Sequence, residues 1–241
     1  MFNRRFLLAA AAGAMMAASP AAAQVEIQWW HAMTGANNEV VVKLAQEFNA
    51  SQSEFRVVPT YKGSYPDTMN AGIAAFRAGN APHILQVFEV GTATMMAARG
   101  AIKPVYQMMA EANEPFDPKA YLPAVAGYYS TSRGEMLSFP FNSSSSVMWY
   151  NKDAFRRAGL NPDQPPKTWP EVFEAAKKLR AAGFDKCGFS SAWITWLNLE
   201  QFSLWHNVPL ASRANGIDGF DTELRFNSPL HVRHLQNLID L

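Results

Sequence analysis

Between residues 25 and 99 the sequence alternates short apolar strands with amphipathic helices, and this alternation constrains the fold more than any other feature. Strands are predicted at Val25–Trp30, Phe55–Tyr61 and Ile84–Phe88. Helices are predicted between them and over Gly91–Arg99. The order β-α-β-α-β-α is typical of an open α/β sheet with parallel strands. Such sheets bind ligands beyond the carboxyl ends of their strands.

The two helices between these strands have recognisable ends. Asn37 or Asn38 can cap the first helix with its side-chain oxygen. The second helix is predicted over Asp67–Arg77, followed by Gly79 in the position where a left-handed residue commonly ends a helix. The strand Ile84–Phe88 is apolar apart from Gln86, which predicts burial on both faces of the sheet.

The pattern changes after residue 102. Strands are predicted at Met136–Phe139 and Val147–Tyr150, and a helix is predicted over Trp169–Ala182. We expect an N-terminal lobe over residues 24–135 and part of a second lobe over residues 136–241. The helix predicted over His231–Leu241, with Val232, Leu235, Leu238 and Ile239 as its apolar face, runs to the last residue. We therefore expect that the chain lacks a second half, together with any partner for Cys187.

Residues 1–23 have the order of a secretory signal. Arg4 and Arg5 precede the apolar run Phe6–Ala18, and Ala21–Ala23 supplies the small residues that signal peptidase requires. The apolar run is shorter than the roughly 20 residues that span a bilayer, which disfavours a membrane anchor. The arginine pair resembles a twin-arginine signal but lacks its usual spacer, so the general export route is favoured. We expect cleavage after Ala23 and export to the periplasm.

Composition and motifs exclude several functional classes. The 241 residues carry 21 Lys and Arg against 20 Asp and Glu, and this net charge of +1 argues against a nucleic-acid-binding protein. A single cysteine, Cys187, excludes a disulfide scaffold and a multi-thiolate metal site, and leaves either a free thiol or a missing partner. The sequence contains no nucleophile elbow, zinc-binding helix, P-loop or dinucleotide fingerprint. His231 and His234 lie at helical spacing without a nearby carboxylate. We expect no catalytic residue, no metal and no cofactor.

Three features are candidates for a small-molecule site. Glu89 follows the strand Ile84–Phe88, where a polar side chain points either into a ligand cleft or into solvent. The serine run around Ser144 is either a flexible linker or a loop whose hydroxyl and amide groups hold an anionic oxygen. Trp193 and Trp196 are three residues apart, which fits core packing as well as an aromatic platform for a polyol. These patterns alone leave both alternatives open in each case.

Seven stretches are specific enough to identify a family. They are residues 59–65 (PTYKGSY), 71–77 (AGIAAFR), 86–96 (QVFEVGTATMM), 141–144 (FNSS), 150–155 (YNKDAF), 165–169 (PPKTW) and 193–196 (WITW). With them the chain resembles, from Trp30-His31 to its C-terminus, the maltose-binding-like extracellular solute-binding proteins of bacterial ABC importers. Within that family it resembles the members that bind glycerol-3-phosphate. One departure is Ser145-Ser146, where the family often has Thr-Pro.

The resemblance implies a two-lobed α/β periplasmic-binding-protein fold that closes on its ligand. It implies glycerol-3-phosphate or a glycerophosphodiester as the ligand, and permease subunits of an ABC transporter in the inner membrane as partners. It also implies the ligand-binding residues Tyr65, Glu89, Ser144, Trp193 and Trp196. We expect a monomer that binds no nucleic acid.

Two alternatives remain open at this point. A binding protein for a neutral sugar or polyol fits the tryptophans equally well, because the phosphate-binding arginine of the family lies in the half that this chain is expected to lack. A periplasmic phosphoester hydrolase is disfavoured, because paired carboxylates, a metal cluster and an activated nucleophile are all absent from the sequence. Without the arginine half, we expect the chain alone to bind weakly or not at all.

Overall fold

A computed structural model describes residues 24–88, 91–98, 100–184 and 187–240. The chain divides into two compact units, one ending at Ile102 and the other beginning at Lys103. The lobe boundary predicted at residues 135 and 136 stays a prediction about the complete protein. The expected signal, residues 1–23, lies outside the described residues. No helix among the described residues has both the length and the apolar character needed to cross a membrane.

The first unit is built on a three-stranded parallel sheet. Its strand order is β2-β1-β3, and β1 runs parallel to both neighbours. The register pairs Val25 with Phe55 and His31 with Tyr61, so β1 and β2 end together at one edge of the sheet. The elements of this unit are β1 (Val25–His31), α1 (Gly35–Ser51), β2 (Phe55–Tyr61), α2 (Tyr65–Arg77), β3 (Ile84–Leu85) and α3 (Thr92–Ala97).

The first helix starts earlier than the sequence predicts. Thr34 is the N-cap residue of α1, and no side chain caps this end. The prediction of Asn37 or Asn38 as the cap is wrong, because both residues lie within the first helical turn. Asn38 donates its backbone N–H to the Thr34 carbonyl at 3.3 Å, as a residue inside the helix does.

The second helix lies very close to the third strand. Gly72 is buried in α2, and a Cβ atom at this position would lie 2.5 Å from Cδ2 of Leu85 in β3. Only glycine permits this approach without movement of the strand residue. The helix ends as predicted, with Gly79 in the left-handed region at a φ of 70°.

The third strand is much shorter than the predicted Ile84–Phe88. Only the two residues of β3 pair with β1, and Ile84 is exposed rather than buried. Gln86 continues the ladder by one bond, from its N–H to the Trp30 carbonyl at 2.9 Å. Its buried side chain then accepts a hydrogen bond from the Ala32 N–H, also at 2.9 Å. A side-chain amide thus takes the place of the next backbone bond, and the strand ends.

The second unit is mainly helical among its described residues. Thr168 caps α7 with a reciprocal bond to Glu171, and Gly183 follows the helix with a φ of 89°, which confirms the predicted C-terminal end. The helices are α4 (Val105–Ala112), α5 (Pro123–Tyr128), α6 (Lys152–Arg157), α7 (Trp169–Ala181), α8 (Gln201–Trp205), α9 (Ser212–Asn215) and α10 (Pro229–Ile239), with a 3₁₀ turn at Pro118–Ala120 and a π-helical segment at Thr195–Glu200.

The two strands predicted in this unit do not form among the described residues. Met136 makes one isolated antiparallel bridge with Ser130, and Val147–Tyr150 is not part of any ladder. A strand requires a neighbour to accept and donate its backbone hydrogen bonds. No described segment supplies that neighbour for Val147–Tyr150, so the apolar pattern is present without the pairing.

The last helix turns inward a face that only partly overlaps the predicted one. α10 buries His231 and His234. Of the predicted apolar face, Leu235 and Leu238 are half-buried, whereas Val232 and Ile239 are exposed. The helix begins earlier than the predicted His231, because Ser228 caps it by accepting the His231 N–H. The apolar face is therefore completed by two histidines in place of two aliphatic residues.

Candidate functional site

The first unit presents the carboxyl edge of its parallel sheet as a candidate binding surface. After β2, Lys62 donates its backbone N–H to the His31 carbonyl at 3.0 Å, which holds the loop against the end of β1. The Lys62 ammonium lies 3.9 Å from the centre of the Trp30 ring, a cation–π contact. Tyr65 begins α2 directly after this loop. The predicted ligand-binding tyrosine is therefore at the edge where open α/β sheets bind ligands.

Tyr65 has an aromatic neighbour that the sequence did not reveal. Its ring stacks on Phe88, with centroids 5.5 Å apart and planes within 7° of parallel. The predicted Glu89 follows Phe88 in sequence and lies outside the described residues. Tyr65 thus contacts the residue that directly precedes Glu89. The two aromatic residues are far apart in the sequence, so the sequence pattern does not predict their stacking.

His31, the last residue of β1, is the buried residue at this edge of the sheet. Its side chain is buried, and burial lowers the pKa of its imidazole. Nδ1 accepts the Met33 N–H at 3.3 Å, which fixes Nδ1 as the unprotonated nitrogen. Thr68, also buried, donates its hydroxyl to the His31 carbonyl at 3.5 Å and so connects α2 to β1. His31 is a neutral packing residue of the edge.

The N-terminus of α2 is closed by its own side chains. Ser64 and Asp67 form a capping box, in which the Ser64 N–H donates to Asp67 Oδ2 at 3.0 Å and the Ser64 hydroxyl donates to the same oxygen at 2.6 Å. The hydrogen bond from the Ser64 side chain, followed by that from its backbone, lowers the pKa of Asp67. The positive end of this helix is thus already occupied by a carboxylate.

In the second unit the predicted tryptophan pair does form a contact. The rings of Trp193 and Trp196 meet edge to face, with centroids 5.8 Å apart and an interplanar angle of 69°. Trp193 is 63% exposed and has a φ of 48°, so it lies just before the helical segment and not on its face. Asn198, a buried residue of the helical segment, donates from its side chain to Ser191 Oγ at 3.0 Å and connects this segment to the chain before Trp193. The two tryptophans form a partly exposed aromatic surface.

Ser144 lies in a segment without backbone pairing. No backbone N–H or carbonyl of the described residues 143–149 takes part in a backbone–backbone hydrogen bond. The same holds for residues 187–192. Ser144 is exposed, and the hydroxyls of its loop are available to a ligand or to solvent. The structure does not bring Ser144 into a ring contact or hydrogen bond with either tryptophan.

These two unpaired segments border a large groove within the second unit. The groove has a volume of about 1120 Å³ and is lined by residues 146–151, residues 187–192 and one face of α7. Trp149 and Trp205 stand at it with 91% and 81% of their surfaces exposed. Ser144, Trp193 and Trp196 are not part of its lining. These three predicted ligand contacts therefore lie outside the lining, although Ala192 and Leu197, the neighbours of the tryptophans in sequence, belong to it.

Cys187 lies in the lining of this groove as an exposed free thiol. Its sulfur donates to the Phe189 carbonyl at 2.7 Å. Within the described residues no group of three or more His, Cys, Asp or Glu side chains could hold a metal ion.

Comparison with known proteins identifies the family of this chain. Residues 34–238 match the family described as bacterial extracellular solute-binding protein. The sn-glycerol-3-phosphate-binding periplasmic protein UgpB of Brucella suis biovar 1 (strain 1330) is 54% identical, over 100% of this chain and 56% of that protein. The protein of the same name from Yersinia enterocolitica serotype O:8 is 56% identical, over 92% of this chain and 50% of that protein. The chain thus spans about half the length of the curated relatives it matches.

Among solved structures, the cyclic alpha-maltosyl-1,6-maltose binding protein from Arthrobacter globiformis has a similar fold. The TM-score is 0.61 at 21% sequence identity, and the match covers 90% of this chain and 54% of that one. At this identity the likeness establishes the fold alone. It confirms the α/β fold class that the strand and helix pattern predicts.

Proposed function

Since the chain belongs to the bacterial extracellular solute-binding proteins, we propose that the protein captures glycerol-3-phosphate or a glycerophosphodiester and delivers it to the permease subunits of an ABC transporter. The observation that carries this proposal is the 54% identity, along the whole chain, to a relative named for binding glycerol-3-phosphate. The same relative is named periplasmic, which supports export of this chain to the periplasm. Cleavage after Ala23 and a monomeric state are part of the same proposal.

Tyr65 and Glu89 are proposed to recognise the glycerol part of the ligand. A carboxylate repels phosphate, so Glu89 is assigned to accept hydrogen bonds from the glycerol hydroxyls. Tyr65 is held flat by Phe88 and starts α2 at the carboxyl edge of the sheet, so its ring can contact the carbon chain while its hydroxyl donates.

Ser144, Trp193 and Trp196 are proposed to supply the remaining contacts of this chain. The Ser144 hydroxyl and the unpaired amides around it, of residues 143–146, suit phosphate oxygens. The edge-to-face tryptophans present an apolar surface for the carbon chain. Hydrogen bonds to a charged group contribute about 1.5–3 kcal/mol each, against about 0.5–1.5 kcal/mol for neutral ones. Affinity should therefore depend most on the phosphate contacts, including the arginine expected outside this chain.

The test is thermal unfolding of a chimera in which residues 24–241 are joined to the part of the Brucella suis relative that they do not match. Glycerol-3-phosphate or glycerophosphocholine should raise the melting temperature, because a ligand that binds only the folded state stabilises it by mass action. Glu89→Ala should abolish the rise. Glu39→Ala, at an exposed position of α1, is the matched control and should retain it. Residues 24–241 alone should show no rise at micromolar ligand.

The chimera also separates the alternatives. A rise with maltose and none with either phosphate ligand would replace this proposal by that of a neutral-sugar-binding protein. Steady release of product from a chromogenic phosphoester, at a rate proportional to protein concentration, would establish a hydrolase instead. Micromolar binding by residues 24–241 alone would show that the phosphate contacts are already present in this half.

We also propose that the second unit is part of a lobe completed by further polypeptide, of the kind that the relatives possess outside the matched region. The support is the unpaired backbone of residues 143–149 and 187–192 along an apolar groove. Val147 and Trp149 expose 72% and 91% of their surfaces there. Unpaired strand edges with apolar side chains are rarely left open in natural proteins.

Hydrogen exchange tests this completion. The amides of residues 147–149 and 187–192 should exchange rapidly in residues 24–241 and become protected in the chimera, because added strands would accept their hydrogen bonds. The amides of β1, paired already within this chain, are the internal control and should be protected in both proteins. Rapid exchange of residues 147–149 in a folded chimera would show that the groove remains open.

A further inference from the structure

Three histidine rings surround Phe202 inside the second unit. The ring of His234 stacks on Phe202, with centroids 3.9 Å apart and planes within 9° of parallel. His206, the residue that follows α8, lies 4.4 Å from the same phenyl ring, and His231 lies 5.8 Å from it. His231 and His234 come from α10, whereas Phe202 comes from α8. Where α10 meets α8, imidazole rings therefore pack around one phenyl ring.

His231 is fully satisfied in its neutral form. Ser203 uses its hydroxyl proton for the Leu199 carbonyl at 2.6 Å, so its oxygen accepts the Nε2–H of His231 at 2.8 Å. Nδ1 of His231 is then the acceptor for the Ser228 hydroxyl at 2.7 Å. Both ring nitrogens thus have matched partners, and the side chain is completely buried.

His234 lacks such partners. It is 5% exposed, and its Nε2 is buried with no hydrogen-bond partner among the described residues. Trp169 of α7 also contacts the His234 ring, edge to face with centroids 5.4 Å apart, but the indole carries no charge. Burial lowers the pKa of His234, and the neighbouring charges of His206 and then His231 lower it further. No carboxylate among the described residues contributes to this pKa.

We propose that the packing of α10 on α8 is an acid-sensitive contact, which opens when His234 takes up a proton. The proton would be placed in an apolar pocket with aromatic walls and two further imidazoles, and it can be hydrated only if α10 moves away from Phe202. In the open state His234 meets water and regains its ordinary affinity for a proton. Acid thus favours the open state, and this holds whether or not the ligand proposed above is correct.

The sign of the effect follows from proton linkage. The pKa of His234 is lower in the packed state than the ordinary 6.5, so the contact is fully stabilised above pH 6.5 and weakens as the pH falls from there. One proton raises the opening constant by up to about tenfold per pH unit in this window. The loss stops once the pH is below the pKa of the packed state.

The experiment is hydrogen exchange of the α10 amides in the whole chain between pH 8 and pH 5, corrected for the intrinsic pH dependence of exchange. The readout must be local, because burial also lowers the pKa of His31 in the other unit. Protection of α10 should fall by up to about tenfold between pH 8 and pH 5.5. His234→Phe keeps an aromatic ring on Phe202 without a titratable group and should remove this dependence.

His206→Phe is the matched control, since burial, the largest cause of the low pKa of His234, is retained in it. This variant should keep most of the pH dependence of α10 and lose only the smaller part that comes from the charge of His206. The inference is overturned if α10 protection in the unsubstituted chain does not vary with pH, or if His234→Phe varies as the unsubstituted chain does. Should His234→Phe fail to fold, NMR titration of the unsubstituted chain decides, and a His234 pKa at or above 6.5 overturns the inference.

Discussion

The close approach of α2 to β3 gives the sharpest test of the first unit, through the substitution Gly72→Ala. A Cβ atom at residue 72 would lie 2.5 Å from Leu85 Cδ2, 3.0 Å from Cδ1 and 3.4 Å from Cγ. Real Cβ atoms essentially never approach another heavy atom as closely as the first of these distances. Leu85 must therefore rotate, or α2 must move away from the sheet.

Two opposing effects set the magnitude. Alanine in a helix is favoured over glycine by about 1 kcal/mol. Overpacking of a filled interior costs about 1–3 kcal/mol. We therefore expect Gly72→Ala to destabilise the first unit by about 1 kcal/mol. The same change at Gly127 in α5 meets no atom within 4 Å and should stabilise the second unit by about 0.5–1 kcal/mol.

The assay is urea unfolding with pulsed hydrogen exchange as the readout, because a global signal does not separate two units. Adding Leu85→Val to Gly72→Ala removes the atoms in conflict, so the double variant should be less destabilised than the two single changes together, by about 1 kcal/mol. Two results would show that the close approach of α2 to β3 does not account for glycine at residue 72. One is that Gly72→Ala stabilises its unit as Gly127→Ala does. The other is that the double-mutant cycle of residues 72 and 85 shows no coupling energy.

Three further predictions concern single side chains. Thr168→Ala removes the hydroxyl that caps α7 and should lower the stability of the second unit by about 1 kcal/mol, whereas Thr168→Ser should not, as measured by urea unfolding. Met136→Ala should cost about 2–5 kcal/mol in the same assay because Met136 is fully buried, whereas Met148→Ala, at an exposed position, should cost far less. Asp67→Asn should weaken α2 at pH 7, and the difference from the unsubstituted chain in α2 hydrogen exchange should vanish towards pH 3. Hydrogen bonds from Ser64 lower the pKa of Asp67. The ionised carboxylate therefore stabilises α2 above about pH 3.8, and this stabilisation is lost as the pH falls below 3.8.

Local signals in the sequence were sufficient for several elements that are defined by their own residues, although they misplaced the start of α1. β2 forms at the predicted Phe55–Tyr61, because alternating β-branched and aromatic residues fit a pleated surface. α2 and α7 end before Gly79 and Gly183. Both glycines have a positive φ, which ends a helix and which glycine adopts without strain. The tryptophan contact was also predictable, since two large rings three residues apart reach each other in a helix or in the turn before it.

The sequence failed where an element depends on a distant partner. Ile84–Phe88 has the composition of a full strand, but the side chain of Gln86 takes the next hydrogen bond of β1. Val147–Tyr150 has a strand pattern, but no described segment pairs with it. His231 and His234 were not predicted as part of the buried face of α10. Ser203 and Ser228 hydrogen-bond to His231, and Phe202 stacks on His234, so both histidines are buried. Each failure concerns a contact between residues far apart in the chain.

The capping of α2 also limits how this edge can hold an anionic ligand. Helix N-termini commonly bind phosphate because their first amides are unpaired. In α2, Pro66 has no N–H, the Asp67 N–H donates to Ser64 Oγ, and the Thr68 N–H donates to the Ser64 carbonyl. The Asp67 carboxylate, moreover, places a negative charge at this end of the helix. A phosphate is therefore poorly suited to this position, and Tyr65 is better suited to the uncharged part of the ligand, with the phosphate assigned to donors such as Ser144.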